Sequence, residues 1–476
     1  MKSNAIKIII PILIAAVLLT GCAFASSIAS TLSGSSKMEL SEVENVTQAQ
    51  TDIAADDNSN STAVDADDDS NSTDIAVSDD TDPTDFTVGD DSGSTEIASD
   101  DKTSQSSDLF SDRDLSAEYD DETVTISLTG SGAQADSDKV NVSGSIITIT
   151  GSGTYLISGT LQNGSIIVDA SKEDKVQLVL NGVSINSDSY AAIYVKQADK
   201  VFVTLADGTQ NTLSNGGSFT QLDDSNVDAV IFSKDDITFN GTGSLTVESP
   251  AGHGIVGKDE VTFTGGVYTV TAAKCAVRAN DSIAVADGTF KLTAGTDGLH
   301  AEYDEDDTKG NIYISEGTFT IKAADDAVHA NTLLQIDDGS FEITGAEGLE
   351  ATYIKINGGD ISISASDDGV NAASKSTAYT PTVEINGGTL TIVMGAGDTD
   401  GVDSNGNIII TGGTVNVTGN SSFDYDGSAT FTGGTVIVNG QQVNSITNQM
   451  MGGMGGMMGG MDGMGGMTGG RGGWRG

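Results

Sequence analysis

The sequence predicts an all-β chain wound as a parallel β-helix, a solenoid in which each coil buries its inward residues only by stacking on the next. Three observations predict it. A short phrase returns between residues 297 and 403, as Asp297-Gly298-Leu299-His300-Ala301, Asp325-Asp326-Ala327-Val328-His329-Ala330, Glu347-Gly348-Leu349-Glu350-Ala351, Asp367-Asp368-Gly369-Val370-Asn371-Ala372 and Asp400-Gly401-Val402-Asp403. Between the copies runs a hydrophobic alternation broken by a Gly pair or Asp-Gly, as in Ile354-Lys-Ile-Asn-Gly358-Gly359-Asp-Ile-Ser-Ile363. The small residues Gly254, Ala276, Gly298, Ala327, Gly348, Gly369 and Gly401 fall mostly 21 or 22 residues apart, with longer intervals of 29 and 32. A period near 22, carrying three short alternating runs, is that of stacked β coils.

The first 22 residues read as a secretory address. Lys2 and Lys7 precede an apolar run from Ile8 to Leu19, too short to span a bilayer comfortably. The run ends in Leu19-Thr20-Gly21-Cys22, which resembles the lipobox of bacterial lipoproteins and implies cleavage before Cys22 and acylation of its thiol. Two or more acyl chains anchor stably, so the mature chain is expected outside the cytoplasm, surface-exposed and tethered to the cell membrane. Residues 23–120 then form an acidic linker, with 27 acidic residues between Glu39 and Glu122 against only Lys102 and Arg113. Such a stretch buries too little apolar surface to offset its ordering entropy and is expected to be disordered.

Residues 121–445 are dense in strand signals, among them Val142-Ser-Gly-Ser-Ile-Ile-Thr-Ile-Thr-Gly151, Val176-Gln-Leu-Val-Leu180 and Val201-Phe-Val-Thr-Leu205. With four prolines in the whole chain, nearly every strand can donate a full ladder of hydrogen bonds. Cys275 has no disulfide partner once Cys22 is acylated, and is expected as a small buried hydrophobe. Residues 446–476 form a tail with eight methionines from Met450 to Met467, too rich in glycine to fold. Its thioethers suit Cu(I), an alternative to a plain flexible tail. The net charge of −48, with no basic patch, excludes a nucleic-acid binder.

Stacking carries the chemistry. Equivalent positions of successive coils lie about 4.8 Å apart. Asp297, Asp326, Glu347, Asp368 and Asp400 are expected in one column, with His300, His329, Glu350, Asn371 and Asp403 in a second. Like charges so placed repel, and a cation between rungs relieves them. Ca²⁺ takes roughly six to eight oxygen ligands. The expected ligands are therefore Asp297, Asp325, Asp326, Glu347, Glu350, Asp367, Asp368, Asn371, Asp400 and Asp403. Calcium could equally serve only to hold turns together. Asp297, His300, Asp326 and His329 offer a transition-metal alternative, since imidazole is a poor calcium ligand; two stacked, hydrogen-bonded histidines are the other account.

A resemblance adds to this reading. Gly153-Thr-Tyr-Leu-Ile-Ser-Gly-Thr-Leu161, Val176-Gln-Leu-Val-Leu-Asn-Gly-Val183, Ala191-Ala-Ile-Tyr-Val-Lys-Gln-Ala-Asp-Lys-Val-Phe-Val-Thr-Leu205, Gly208-Thr-Gln-Asn-Thr-Leu213, Asp228-Ala-Val-Ile-Phe-Ser-Lys-Asp-Asp236 and Asp297-Gly-Leu-His-Ala301 resemble a family of secreted bacterial carbohydrate-binding proteins. The likeness implies a single-stranded right-handed parallel β-helix of polysaccharide-lyase-like architecture that contains calcium. It also implies binding of acidic (polygalacturonate-like) and cellulosic plant glycans.

Two lengthened coils, Tyr303-Asp-Glu-Asp-Asp-Thr-Lys309 and Ala373-Ser-Lys-Ser-Thr-Ala-Tyr-Thr-Pro381, should flank the acidic face. Tyr303, Tyr353 and Tyr379 there could stack on sugar rings or serve as ordinary loop and strand tyrosines. Binding without cleavage by a monomer is the expectation. A polyuronate lyase is the alternative, with Lys274 and Arg278 as the candidate bases beside a metal, and a purely structural surface protein is the third.

Overall fold

Short runs of Val, Ile, Thr and Phe, each ended by Gly, Asn or Asp, form strands because branched and aromatic side chains suit a pleated, half-buried surface. The computed structural model describes residues 109–119, 122–396 and 399–449, and among them there are 36 strands and no helix. The expected signal segment, Cys22 and the linker to residue 108 lie outside the described residues, as does the Met/Gly tract from residue 450.

Parallel pairing carries each repeat onto the next. One row runs through Val261, Ile283, Ile312, Leu334, Ile354, Val383, Ile408 and Ala429. A second runs through Leu245, Tyr268, Phe290, Phe319, Phe341, Ile361, Leu390, Val415 and Val436. Both lie in a 23-stranded sheet. The third row, in a 13-stranded sheet, is Ile255, Val277, Leu299, Val328, Leu349, Val370, Val402 and Phe423. Apart from Ala429, every residue of the three rows is at most 2 % exposed, and together they form one continuous core.

Glycine makes the bends between rows. Gly317, Gly339 and Gly359 take φ of +134°, +118° and +89°, a region that side chains with a Cβ avoid. Gly348 is needed for closeness, because a Cβ there would fall 2.3 Å from the Gly369 carbonyl oxygen and 2.5 Å from Ile363. Antiparallel hairpins stand at the two ends, Val140–Ser143 with Ile146–Ile149 and Thr435–Val438 with Gln441–Val443. Irregular terminal units of this kind cover sheet edges that would otherwise invite further pairing.

Two boundaries differ from the sequence reading. Residues 109–119, placed in the solvated linker, lie against the large sheet instead. Asp114 is 3 % exposed, accepts a hydrogen bond from Thr238 at 2.6 Å and pairs with Lys200 at 2.8 Å, while Arg113 covers the Phe202 ring at 4.6 Å. Burial works against the Asp114 charge, yet these partners and Ser111 hold its pKa below the usual carboxylate range. Composition averaged over the linker hides one acid with a cation waiting for it. At the other end the chain stays packed past residue 445, since Gln449 N donates to the Phe423 carbonyl at 2.9 Å.

Register forces identical rings together. Phe319 stacks between Phe290 (centroids 4.7 Å apart) and Phe341 (4.6 Å), with interplanar angles of 4° and 3°. Phe319→Ala should open a cavity the two neighbours cannot both fill and lower stability by about 3–5 kcal/mol. Urea unfolding followed by tyrosine fluorescence checks this, and a loss below about 1 kcal/mol would mean that the stack does not hold the rungs together.

Candidate functional site

In the 13-stranded sheet the residues between the buried ones point outward, because a strand alternates its faces. Pairing sets them in one file: Tyr194, Phe232, Val256, Arg278, His300, His329, Glu350, Asn371, Asp403. Three residues before the last five stand Asp297, Asp326, Glu347, Asp368 and Asp400. Their backbones are tied in sequence by Gly298 N to Asp326 O (3.0 Å), Ala327 N to Glu347 O (3.0 Å), Gly348 N to Asp368 O (3.0 Å) and Gly369 N to Asp400 O (2.9 Å). The two expected columns are therefore adjacent files on one face.

The files divide into two chemically different halves. In the first, histidines sit among carboxylates. His300 Nδ1 lies 2.9 Å from Asp297 and its Nε2 3.1 Å from Glu302, while His329 Nδ1 lies 2.7 Å from both Asp326 and Glu350. Their rings stack with centroids 4.6 Å apart. Lys375 reaches Glu350 at 2.9 Å, and Arg278 stands 3.7 Å from Glu302. Burial opposes the imidazolium of His329, but Asp326 and Glu350 outweigh it and carry its pKa up to about 9. Hydrogen bonding from His300 brings Glu302 down to about 2. Negative charge here is compensated within the protein.

The second half holds Glu347, Asp368, Asn371, Asp400 and Asp403, and among the described residues no Lys, Arg or His forms an ion pair with Glu347, Asp368 or Asp403. Burial first, then Glu350 and Asp326, pushes Glu347 up to about 8. Burial with Asp367 and Asp400 raises Asp368 to about 6. Burial with Asp368, Asp424 and Asp400 raises Asp403 to about 7. Asn371 donates from Nδ2 to Glu347 at 3.1 Å, and its buried Oδ1 has no hydrogen-bond partner. Half-buried carboxylates that resist ionising, beside an unused carbonyl oxygen, fit a hard cation such as Ca²⁺.

The comparisons with known proteins bear on this face. The family model described as "Carbohydrate-binding domain-containing protein" matches residues 143–399 and 346–445, well over half of the chain. The chain belongs to this family. It is 42 % identical over 147 residues to a carbohydrate-binding domain-containing protein of Acetivibrio thermocellus, a match covering 29 % of this chain and 51 % of the relative. The chain thus spans about half the length of that relative. It is also similar, at 34 % identity and a TM-score of 0.45, to a polysaccharide lyase-like protein from C. thermocellum solved as a gadolinium derivative, over 51 % of this chain and 94 % of that one.

In this member of the carbohydrate-binding domain family the other expected site residues fall as follows. Asp325 and Asp367 are exposed, because each stands in the bend that precedes its column rather than in a strand. Asp297, Asp326 and Glu350 are occupied by histidine. Lys274 is held 2.8 Å from Asp228. Tyr353 and Tyr379 come together at 5.3 Å, and Tyr379 also lines a cavity of about 360 Å³ with Tyr313, Lys309 and Gln335. Tyr303 lies apart from that pair in its contacts, under Lys309 at 5.0 Å. The two long loops meet, since Ser376 and Thr377 donate to Asp307 at 2.6 Å each. Glu302 and Lys375 are charged residues of this face that the repeat analysis missed. Glu302 shares the outward face with His300 two residues earlier, a signal alternation could have supplied; Lys375 belongs to an aperiodic loop and had none. Cys275 is buried as expected, its thiol pushed up to about 11 by burial, with Asp297 at 3.4 Å.

The raised groups set a pH dependence with one sign. Glu347, Asp403, Asp368 and His329 all bind protons more tightly folded than unfolded. Their contribution is complete at low pH and is lost as pH climbs from about 4, the ordinary carboxylate value, to about 9. Glu302 acts oppositely, losing its contribution only as pH falls toward about 2. In chelator the melting temperature should therefore fall between about pH 5 and pH 9. Glu347→Gln should flatten that fall; a melting temperature rising across the window would refute the assignment.

Proposed function

We propose that this chain is an extracytoplasmic protein, anchored through a lipid on Cys22, that binds calcium and uses it to capture polysaccharide without cleaving it. Its repeats would wind as a single-stranded right-handed parallel β-helix. The row-by-row parallel pairing of each repeat with the next supports the winding. Membership of the carbohydrate-binding family supports the ligand class. The observation that carries the calcium reading is the uncompensated half of the face, where burial and like charge keep Glu347, Asp368 and Asp403 from ionising readily. Glu347, Asn371, Asp368, Asp400 and Asp403 are the residues to hold the ion.

Bound calcium would supply positive charge on a face that otherwise repels anions. Sugar carboxylates could then complete its oxygen shell, which points to acidic, polygalacturonate-like glycan, with cellulose a further ligand. Tyr353 and Tyr379, beside the joined loops, offer ring faces to neutral sugar surfaces. Absence of cleavage is supported by the candidate bases, since Lys274 is tied to Asp228 and Arg278 sits beside Glu302.

Affinity electrophoresis through gels containing polygalacturonate tests the proposal. Retention is expected in calcium, should disappear in chelator, and should drop at least about tenfold in Asp368→Asn/Asp403→Asn. Retention indifferent to chelator would leave calcium a structural role only. Ultraviolet-absorbing unsaturated product, lost in Lys274→Ala, would replace binding with lyase action.

A further inference from the structure

The histidine half of the face has its own chemistry. Both rings are oriented alike: each turns Nδ1 toward the aspartate three residues earlier, Asp297 for His300 and Asp326 for His329. Stacked in register, they must then present their Nε2 edges on the same side. On that side stands Glu302, 3.1 Å from His300 Nε2. His329 is 7 % exposed, and its Nε2 is buried with no hydrogen-bond partner. A buried ring nitrogen without a partner is costly, whether it carries a proton or a lone pair. One donor atom from each of His300, Glu302 and His329 lies within 4.8 Å of the others.

We infer that His300 Nε2, His329 Nε2 and a Glu302 oxygen form a binding site for a divalent transition metal of the zinc type, distinct from the all-oxygen half of the face. The pattern at His329 is that of metal-binding histidines generally: a carboxylate on Nδ1 fixes the ring and its tautomer, leaving Nε2 as the donor, whereas His300 Nδ1 lies 2.9 Å from Asp297 without forming a hydrogen bond. Asp297, Asp326 and Glu350 are thus the orienting partners rather than ligands, and a metal entering at Nε2 displaces to solvent the proton that His329 otherwise carries there. Two imidazoles and one carboxylate suit zinc and leave a coordination place open, whereas calcium prefers oxygen. Arg278, 3.7 Å from Glu302, is the counter-cation that a bound metal displaces.

Calorimetric titration of the untagged full chain with Zn²⁺, in saturating calcium, tests the site. One zinc per chain is expected, and Co²⁺ in its place should give visible absorption of a nitrogen-coordinated ion. Glu302→Gln, on a side chain 35 % exposed and outside the core, should weaken zinc by at least about tenfold, and His329→Gln should do so too. Arg278→Ala should strengthen it, an effect that a merely structural pair of histidines would not produce. Glu347→Gln should leave zinc binding intact, so failure of the calcium reading and failure of this one are separable. No zinc binding in calcium, or zinc binding unchanged in both Glu302→Gln and His329→Gln, would overturn the inference.

Discussion

In-register parallel stacking is the constraint on which the rest of this molecule depends. Each residue sits about 4.8 Å from its counterpart on the next rung, whatever its chemistry. For the apolar rows this is favourable, and Phe290, Phe319 and Phe341 stack almost coplanar. For the outward file it is not. Two full charges at that distance repel by about 3–4 kcal/mol at an effective dielectric near 20, more than one exposed salt bridge contributes. A run of acids in one file must therefore recruit cationic side chains, take up protons or bind a metal.

The chain uses the first remedy for half the file. His300, His329, Arg278 and Lys375 stand among Asp297, Glu302, Asp326 and Glu350. Among the described residues no cationic side chain pairs with Glu347, Asp368 or Asp403, and protons are held at Glu347 well into the neutral range. Protonation and cation binding then compete for the same oxygens. Under the proposed calcium reading, an ion entering this half would have to displace a proton from Glu347, which would tie its affinity to pH.

Most of this was legible because a repeat writes its geometry into spacing. The small-residue column from Gly254 to Gly401 located both files, and the structure places Asp297, Asp326, Glu347, Asp368 and Asp400 one above another. What spacing could not supply was side-chain direction within the phrase. Asp325 and Asp326 are neighbours in sequence, but Asp325 is exposed in a bend and Asp326 is buried, so a doubled Asp counts once. Nor could it supply contacts made by aperiodic segments. Lys375 arrives from a loop, and Asp114 finds Thr238 at a sequence separation of 124 residues, a partnership that no local pattern encodes.

The file also explains where ligand can approach. Its early part, Tyr194, Phe232 and Val256, packs with Ala191, Val227 and Ala229 in a small cluster of its own, and Tyr194 donates to Asp223 at 2.7 Å. That part is closed. Next comes the compensated histidine stretch, edged by the loop that carries Lys375. Asp307 joins this loop to the one that begins at Tyr303, and the two act as a single wall. Past that wall Glu347, Asp368 and Asp403 have no cationic ion-pair partner among the described residues, so the charge balance changes there. A polyanion repelled by Glu347, Asp368 and Asp403 could settle there only across a shared metal. The face thus passes from acids balanced by histidine, arginine and lysine to half-buried acids whose repulsion is met by protons.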